Sequence, residues 1–67
     1  MTVKEFLETF CEDEVQVEIS DSWYENEETF CLNDFVKNVL ATDGEVLNMK
    51  VKSIDADMYQ LLILVEK

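Results

Sequence analysis

"MYQLLILVE", residues 58–66, is the stretch whose reading decides the fold. As an extended strand it places Tyr59, Leu61, Ile63 and Val65 on one face and Met58, Leu62 and Leu64 on the other, because side chains alternate across a strand. Both faces are apolar, and both want cover. Helices of a two-layer domain cover one side of a sheet only. The second face therefore predicts either a central strand wrapped by loop aromatics or the interface of a homodimer.

Immediately upstream, "EVLNMKVKS" (45–53) alternates Leu47, Met49 and Val51 against Asn48, Lys50 and Lys52, and "IDAD" (54–57) supplies a turn, which predicts a C-terminal β-hairpin. Before the hairpin, Leu32, Phe35, Val36, Val39 and Leu40 recur at the spacing of a buried helical face. This predicts a helix over 34–41 with Asn33 as its N-cap. Gly44, the one glycine of the chain, is placed to end that helix through a positive φ.

In the first half, Thr2 with Glu5 has the form of a capping box, in which each side chain satisfies the other's free backbone donor. The helix it starts carries Val3, Phe6, Leu7 and Phe10 on one arc and Glu5, Glu8 and Glu12 on the opposite one. "EVQVEIS" (14–20) then alternates Val15, Val17 and Ile19 against Glu14, Gln16 and Glu18, the pattern of a half-buried strand. "DSWYENEE" (21–28) holds the turn formers Asp21, Ser22 and Asn26. "ETFCL" (28–32) either extends as the second strand of a long-tipped hairpin or, with Thr29 as cap, begins the next helix early. The sum is an α+β fold, two helices packed on a small, mainly antiparallel, three- to four-stranded sheet in the order α-β-(β)-α-β-β, with residues 1–67 forming a single domain.

A 67-residue chain buries only about 60% of the surface its unfolded form exposes. At 48% hydrophobic and 10% aromatic residues it still has material for a core, which argues against disorder despite a net charge of -11. That charge repels nucleic-acid phosphates and anionic membranes and attracts basic partners, so neither direct nucleic-acid nor membrane binding is expected. Met1 is not followed by a charged segment and an apolar core of signal-peptide form, and the longest apolar run, "LLILV", is far short of the roughly 20 residues that span a bilayer. A cytoplasmic protein is expected. Cys11 and Cys31 are too few for a disulfide framework and read as buried free thiols.

Histidine and arginine are both absent, the five basic residues being Lys4, Lys37, Lys50, Lys52 and Lys67. The commonest general base, the commonest zinc ligand and the bidentate phosphate clamp go with them. One glycine cannot build a phosphate-cradling loop. Cys11 sits beside Glu12, Asp13 and Glu14, whose field raises a thiol pKa and so opposes nucleophilic use. Carboxylate pairs abound, but a chain this short leaves little room for a cleft that positions them. "EDE" (12–14) and "DAD" (55–57) offer hard oxygen ligands, yet neither "TDGE" nor "SIDADMYQ" has the spacing of a calcium loop. The expectation is a non-enzymatic protein with no catalytic residue, no metal and no cofactor.

Charge is placed unevenly. From Glu5 to Val36 every charged residue is an acid, whereas from Lys37 onward acids and lysines nearly balance. An acidic surface keeps a small protein soluble; it also presents a negative face to a basic partner. On the first helix Glu5, Glu8 and Glu12 would span about 10 Å at 1.5 Å rise per residue, against one phosphate per about 3.4 Å on each strand of duplex DNA. A groove lined by basic residues can accept such a row in place of a phosphate backbone. The expected partner-binding residues are Glu5, Glu8, Glu12, Glu18, Asp21, Glu25, Glu27 and Glu28, with Trp23 and Tyr24 as aromatic anchors.

"MTVKEFLETF" opening into "VQVEI", with a hairpin ending in "YQLLILVEK", resembles the very small acidic proteins of bacteriophages and conjugative elements of Gram-positive bacteria. The resemblance covers the whole chain in size, charge and element order. Among that broad class, the anti-CRISPR proteins imply inhibition of a Cas effector by occupation of its nucleic-acid-binding surface, as a DNA mimic. It assigns no individual residue. The partner expected is thus a basic, nucleic-acid-handling protein, and the rival expectation is a structural module working as a homodimer through the C-terminal strand.

Overall fold

The structure is a computed structural model, and it describes residues 1–22, 30–42 and 44–66. Helix α1 (Val3–Phe10) begins at the expected capping box. The Glu5 N–H donates to Thr2 Oγ1 at 3.2 Å, and the Thr2 N–H donates to Glu5 Oε1 at 3.3 Å. Val3, Phe6 and Leu7 are buried, but Phe10, expected on the same core arc, is 65% exposed. The helix stops at Phe10 and Cys11 turns extended, so Phe10 touches only the margin of the core, its ring 5.5 Å from that of Phe6.

The chain continues through β1 (Gln16–Ser20), β2 (Cys31–Phe35), α2 (Val36–Ala41), a 3-10 turn (Glu45–Asn48), β3 (Lys50–Ala56) and β4 (Leu61–Glu66). The four strands make one sheet in the order β2-β1-β4-β3. β1 and β2 are antiparallel, as are β3 and β4, while β1 and β4 run parallel and join the two hairpins. The class is α+β, as the sequence predicts, and β4 is a central strand.

Strand alternation divides the sheet into two faces. Val17 and Ile19 of β1 and Ile63 and Val65 of β4 are buried in the same cluster as Val3, Leu7, Val36 and Val39 of the helices. The open face carries Gln16, Glu18 and Ser20 beside Leu62 and Leu64, the latter two half-buried. With both edges of β4 hydrogen-bonded, that open face is the part of the strand left to the homodimer reading. Trp23 and Tyr24, the aromatics expected to cover it, lie outside the described residues.

Several boundaries differ from expectation, and around β2 the reason is the pull of the β1 ladder. Asn33 is not a helix cap but a β2 residue opposite Glu18; α2 starts only at Val36, after an extended Phe35. The Val36 and Lys37 N–H groups, which have no helical acceptor in the first turn, donate to the carbonyls of Val15 and Asp13 at 2.8 and 3.1 Å. No side chain caps α2; Asp34 instead accepts from the Asn38 side chain, at 2.8 Å from Nδ2. Gly44 is extended, with φ -148°, and the segment expected to be strand from Glu45 folds as the 3-10 turn instead. "IDAD" is not the hairpin turn either, since β3 runs through Ala56 and the reversal falls at Asp57–Gln60, closed by an Asp57 N–H bond to the Gln60 carbonyl at 2.8 Å. Both cysteines are free, but neither is buried: Cys11 is half-buried and Cys31 exposed.

The N-terminus is clasped to β3. The Val3 N–H donates to the Met49 carbonyl at 2.9 Å and the Val51 N–H donates to the Met1 carbonyl at 2.8 Å, with Thr2 bridged to Lys50. Residues 1–3 thus cover the first part of the outer edge of β3. Among the described residues, no helix is long and apolar enough to cross a membrane.

Leu7 is fully buried, so Leu7→Ala is expected to cost about 3 kcal/mol. A chain of this size holds only roughly 3–10 kcal/mol in total; urea denaturation should show the variant largely unfolded or close to it. Loss of the cap in Thr2→Ala is expected to cost about 1 kcal/mol, a fall of about 4–8 °C in Tm. The Glu5 carboxyl is held below the usual glutamate range by its bonds from the Thr2 backbone and side chain. A group whose pKa falls on folding adds stability that is present above its unfolded value and lost as pH drops through the folded one. Glu5→Ala should therefore melt below the parent at neutral pH, and the gap should close in acid, below the ordinary glutamate range.

Candidate acidic interaction surface

The acidic residues singled out by sequence fall into three places. Glu5 and Glu8 lie exposed on α1, Glu5 being engaged in the capping box. Glu12 is beyond the helix end, in the exposed turn Glu12–Asp13–Glu14 that leads to β1, where the Val15 N–H donates to the Glu12 carbonyl at 3.1 Å. The expected helical row of three is thus a pair on the helix followed by a turn. That turn packs over the start of α2, and Glu14 Oε1 meets Lys37 Nζ at 3.0 Å. Exposed charges of this kind contribute little, but the pairing shows where the first lysine after the acidic run is used.

Glu18 stands on the other side of the molecule. Its odd-numbered neighbours Val17 and Ile19 fill the core, so its side chain lies on the open sheet face, opposite the helices. There the Cys31 thiol donates to Glu18 Oε1 at 3.5 Å. Burial, then the hydrogen bond and the negative charge of Glu18, push the Cys31 pKa up. Burial alone pushes Cys11 up. Both thiols are therefore poor nucleophiles, Cys11 through desolvation and not through its acidic neighbours.

Asp21 has a structural task. Its Oδ1 accepts from the Phe30 N–H at 2.9 Å and its own N–H donates to the Phe30 carbonyl at 3.3 Å, closing the base of the β1–β2 hairpin. Trp23, Tyr24, Glu25, Glu27 and Glu28, the remainder of the expected site, lie outside the described residues. Asp34 was not among the expected site residues. Bonds from Asn38 and the Phe35 backbone hold its carboxyl below the usual range, an arrangement the sequence signals only through the i, i+4 spacing of Asp34 and Asn38.

Glu8 on α1 and Glu12 and Asp13 in the turn that follows are thus each exposed, whereas Glu18 lies on the sheet face opposite the helices. Among the described residues, no three carboxylate or thiol side chains converge as a metal-holding group. Comparison with protein-family models, with curated proteins and with solved structures finds no match. The chemistry of the surface itself carries the reading.

Glu18→Gln removes the neighbouring charge that helps raise the Cys31 pKa. At mildly alkaline pH it should speed alkylation of Cys31 by iodoacetamide several-fold and leave Cys11 unchanged; peptide mapping by mass spectrometry reads both rates.

Proposed function

We propose that this chain is a non-enzymatic interaction protein that works in the cytoplasm and binds a basic surface of a nucleic-acid-handling partner, as a DNA mimic from a phage or mobile element. The observation that carries this reading is the exposure of Glu8 on α1 and of Glu12 and Asp13 in the turn that follows, in a segment where the nearest later lysine, Lys37, is drawn to Glu14. Exposed carboxylates give a basic groove on a partner both long-range attraction and release of its counterions. The missing histidine and arginine and the raised thiol pKa values support a binding role over a catalytic one.

The test is kinetic. Against a basic nucleic-acid-binding protein such as a Cas effector, the association rate constant is expected to fall by roughly tenfold or more from low to high salt. Duplex DNA should compete for the same surface. Glu8→Lys combined with Glu12→Lys should abolish binding while circular dichroism stays unchanged, because neither side chain enters the core. Binding that is indifferent to salt, or that survives the double variant, would overturn the mimic mechanism.

A further inference from the structure

Among the described residues, β2 ends the sheet and has no strand beyond it. Two bonds fix which of its backbone groups face outward. The Asp21 N–H donates to the Phe30 carbonyl at one end of the β1–β2 ladder, and the Val36 N–H donates to the Val15 carbonyl at the other. Hydrogen-bonded pairs alternate along an antiparallel ladder, so Leu32 and Asp34 point their N–H and C=O groups at β1. Cys31 and Asn33 point theirs away from the sheet, and both residues are exposed. Outward groups of this kind are a template for a further strand.

An apolar hollow and a carboxylate flank the same edge. Leu32 and Asp34 share the helical face of the sheet with Val17 and Ile19, their partners on β1. A half-open hollow of about 500 Å³ lies on that face, with Phe30 and Leu32 in its wall together with Val46 and Met49. Ile19, opposite Leu32, is fully buried and takes no part in the wall, so the hollow opens at the outer margin of the sheet. Glu45 borders it as well. Asp34, two residues along the strand, accepts from Asn38 Nδ2 at 2.8 Å and from the Phe35 N–H at 2.7 Å, bonds that favour its ionised form. Lys37, just past the end of β2, is already drawn to Glu14.

We propose that β2 accepts an extended segment of a protein partner as an added antiparallel strand, with a lysine or arginine opposite Asp34 and an apolar side chain opposite Leu32. The antiparallel sense is the slightly more stable one, and it fixes the order of the segment as a basic residue, any residue, then an apolar residue. The middle residue pairs with Asn33, donating its N–H to the Asn33 carbonyl and accepting the Asn33 N–H. The residue after the apolar one does the same with Cys31. Asp34 and Leu32 form the non-hydrogen-bonded pairs with the segment, in which side chains lie closer together. The basic group thus meets a carboxylate, and the apolar group enters the hollow. Main-chain bonds supply affinity in such a strand addition, and the alternate side chains supply selectivity. A second copy does not answer this edge, because "CLNDF" (31–35) holds no lysine and, centred on Asn33, sets Asp34 opposite Leu32. The edge uses neither Glu8 nor Glu12 and stands independently of the mimic reading.

The probe is a dense array of short synthetic peptides, capped at both ends and randomised in sequence, screened with the full chain. Peptides with lysine or arginine two positions before an apolar residue should be enriched. The best of them should bind with a dissociation constant of about 100 μM, since so short a strand buries far less than the ~1,000 Å² of stable interfaces. N-methylation of its middle residue should weaken binding by about tenfold or more, whereas N-methylation of the basic or the apolar residue, whose N–H faces away from β2, should change it by less than about threefold. Asp34→Asn should weaken the lysine-bearing peptide by about fivefold and leave a peptide with norleucine in place of that lysine unchanged. Glu8→Lys combined with Glu12→Lys should keep the peptide affinity within about threefold, which separates this edge from the mimic surface. An array without the pattern, or sensitivity to N-methylation in the opposite register, overturns the proposal. So does undiminished binding by a folded Asn33→Pro variant, in which proline removes an outward N–H that an edge strand can spare.

Discussion

The structure depends on the parallel pairing of β1 with β4. Each hairpin alone, β1–β2 or β3–β4, is a two-stranded ribbon, which is at best marginal in water. Setting Val17 beside Leu61 and Ile19 beside Ile63 fuses the two ribbons into one sheet and creates a wall broad enough for both short helices. Ile19, Ile63, Val17 and Val65 are fully or almost fully buried at this seam. Neither α1, with eight residues, nor α2, with six, is long enough to hold helical structure by itself. The seam supplies the apolar surface that does so.

The charge of the molecule is arranged around that seam without entering it. Among the described residues the buried cluster holds no ionisable side chain, and the buried polar residue is Ser20. Carboxylates occupy the outer surface of α1, the turn behind it, the hairpin base and the open face of the sheet. Several of these acids are recruited to local tasks. Glu5 caps a helix, Asp21 closes a hairpin, Asp34 holds Asn38, and Glu14 meets Lys37. A composition that reads as uniform acidity is, in three dimensions, a division between carboxylates with structural partners and those left facing solvent.

Much of this was legible in the sequence. The capping box at Thr2 and Glu5 and the alternation of Val17 and Ile19 are local patterns, and each is realised; of the two apolar faces expected over 58–66, the part from Leu61 to Val65 is realised, while Met58 and Tyr59 fall in the turn and are exposed. What could not be read depends on partners distant along the chain. Residues 32–36 carry a helical period, yet Leu32 through Phe35 pair with β1 because the ladder offers hydrogen bonds to backbone that would otherwise need a cap. Leu47 and Met49 alternate as a strand should, but the clasp of residues 1–3 on Met49 and Val51 fixes the start of β3 and leaves residues 45–48 as a 3-10 turn. Glu12 looked like the third member of a helical row because periodicity does not register where a helix stops. The split of the acidic set across the sheet follows from topology, which no local pattern encodes.

The clasp and the seam together also govern when the molecule can form. Met1–Val3 close on Met49–Val51, and β1 closes on β4, so elements near one end of the chain find their partners near the other. A chain lengthening from its first residue can form α1 and the β1–β2 hairpin only as fleeting structure, because the wall that stabilises them is the last element to appear. Contacts of such long sequence separation carry a large loop-closure cost before any reward, and they slow folding into the millisecond-to-second range typical of non-local topologies. Until then, the acidic first half repels its own kind, which protects an exposed hydrophobic intermediate from aggregating while it waits for residues 61–66.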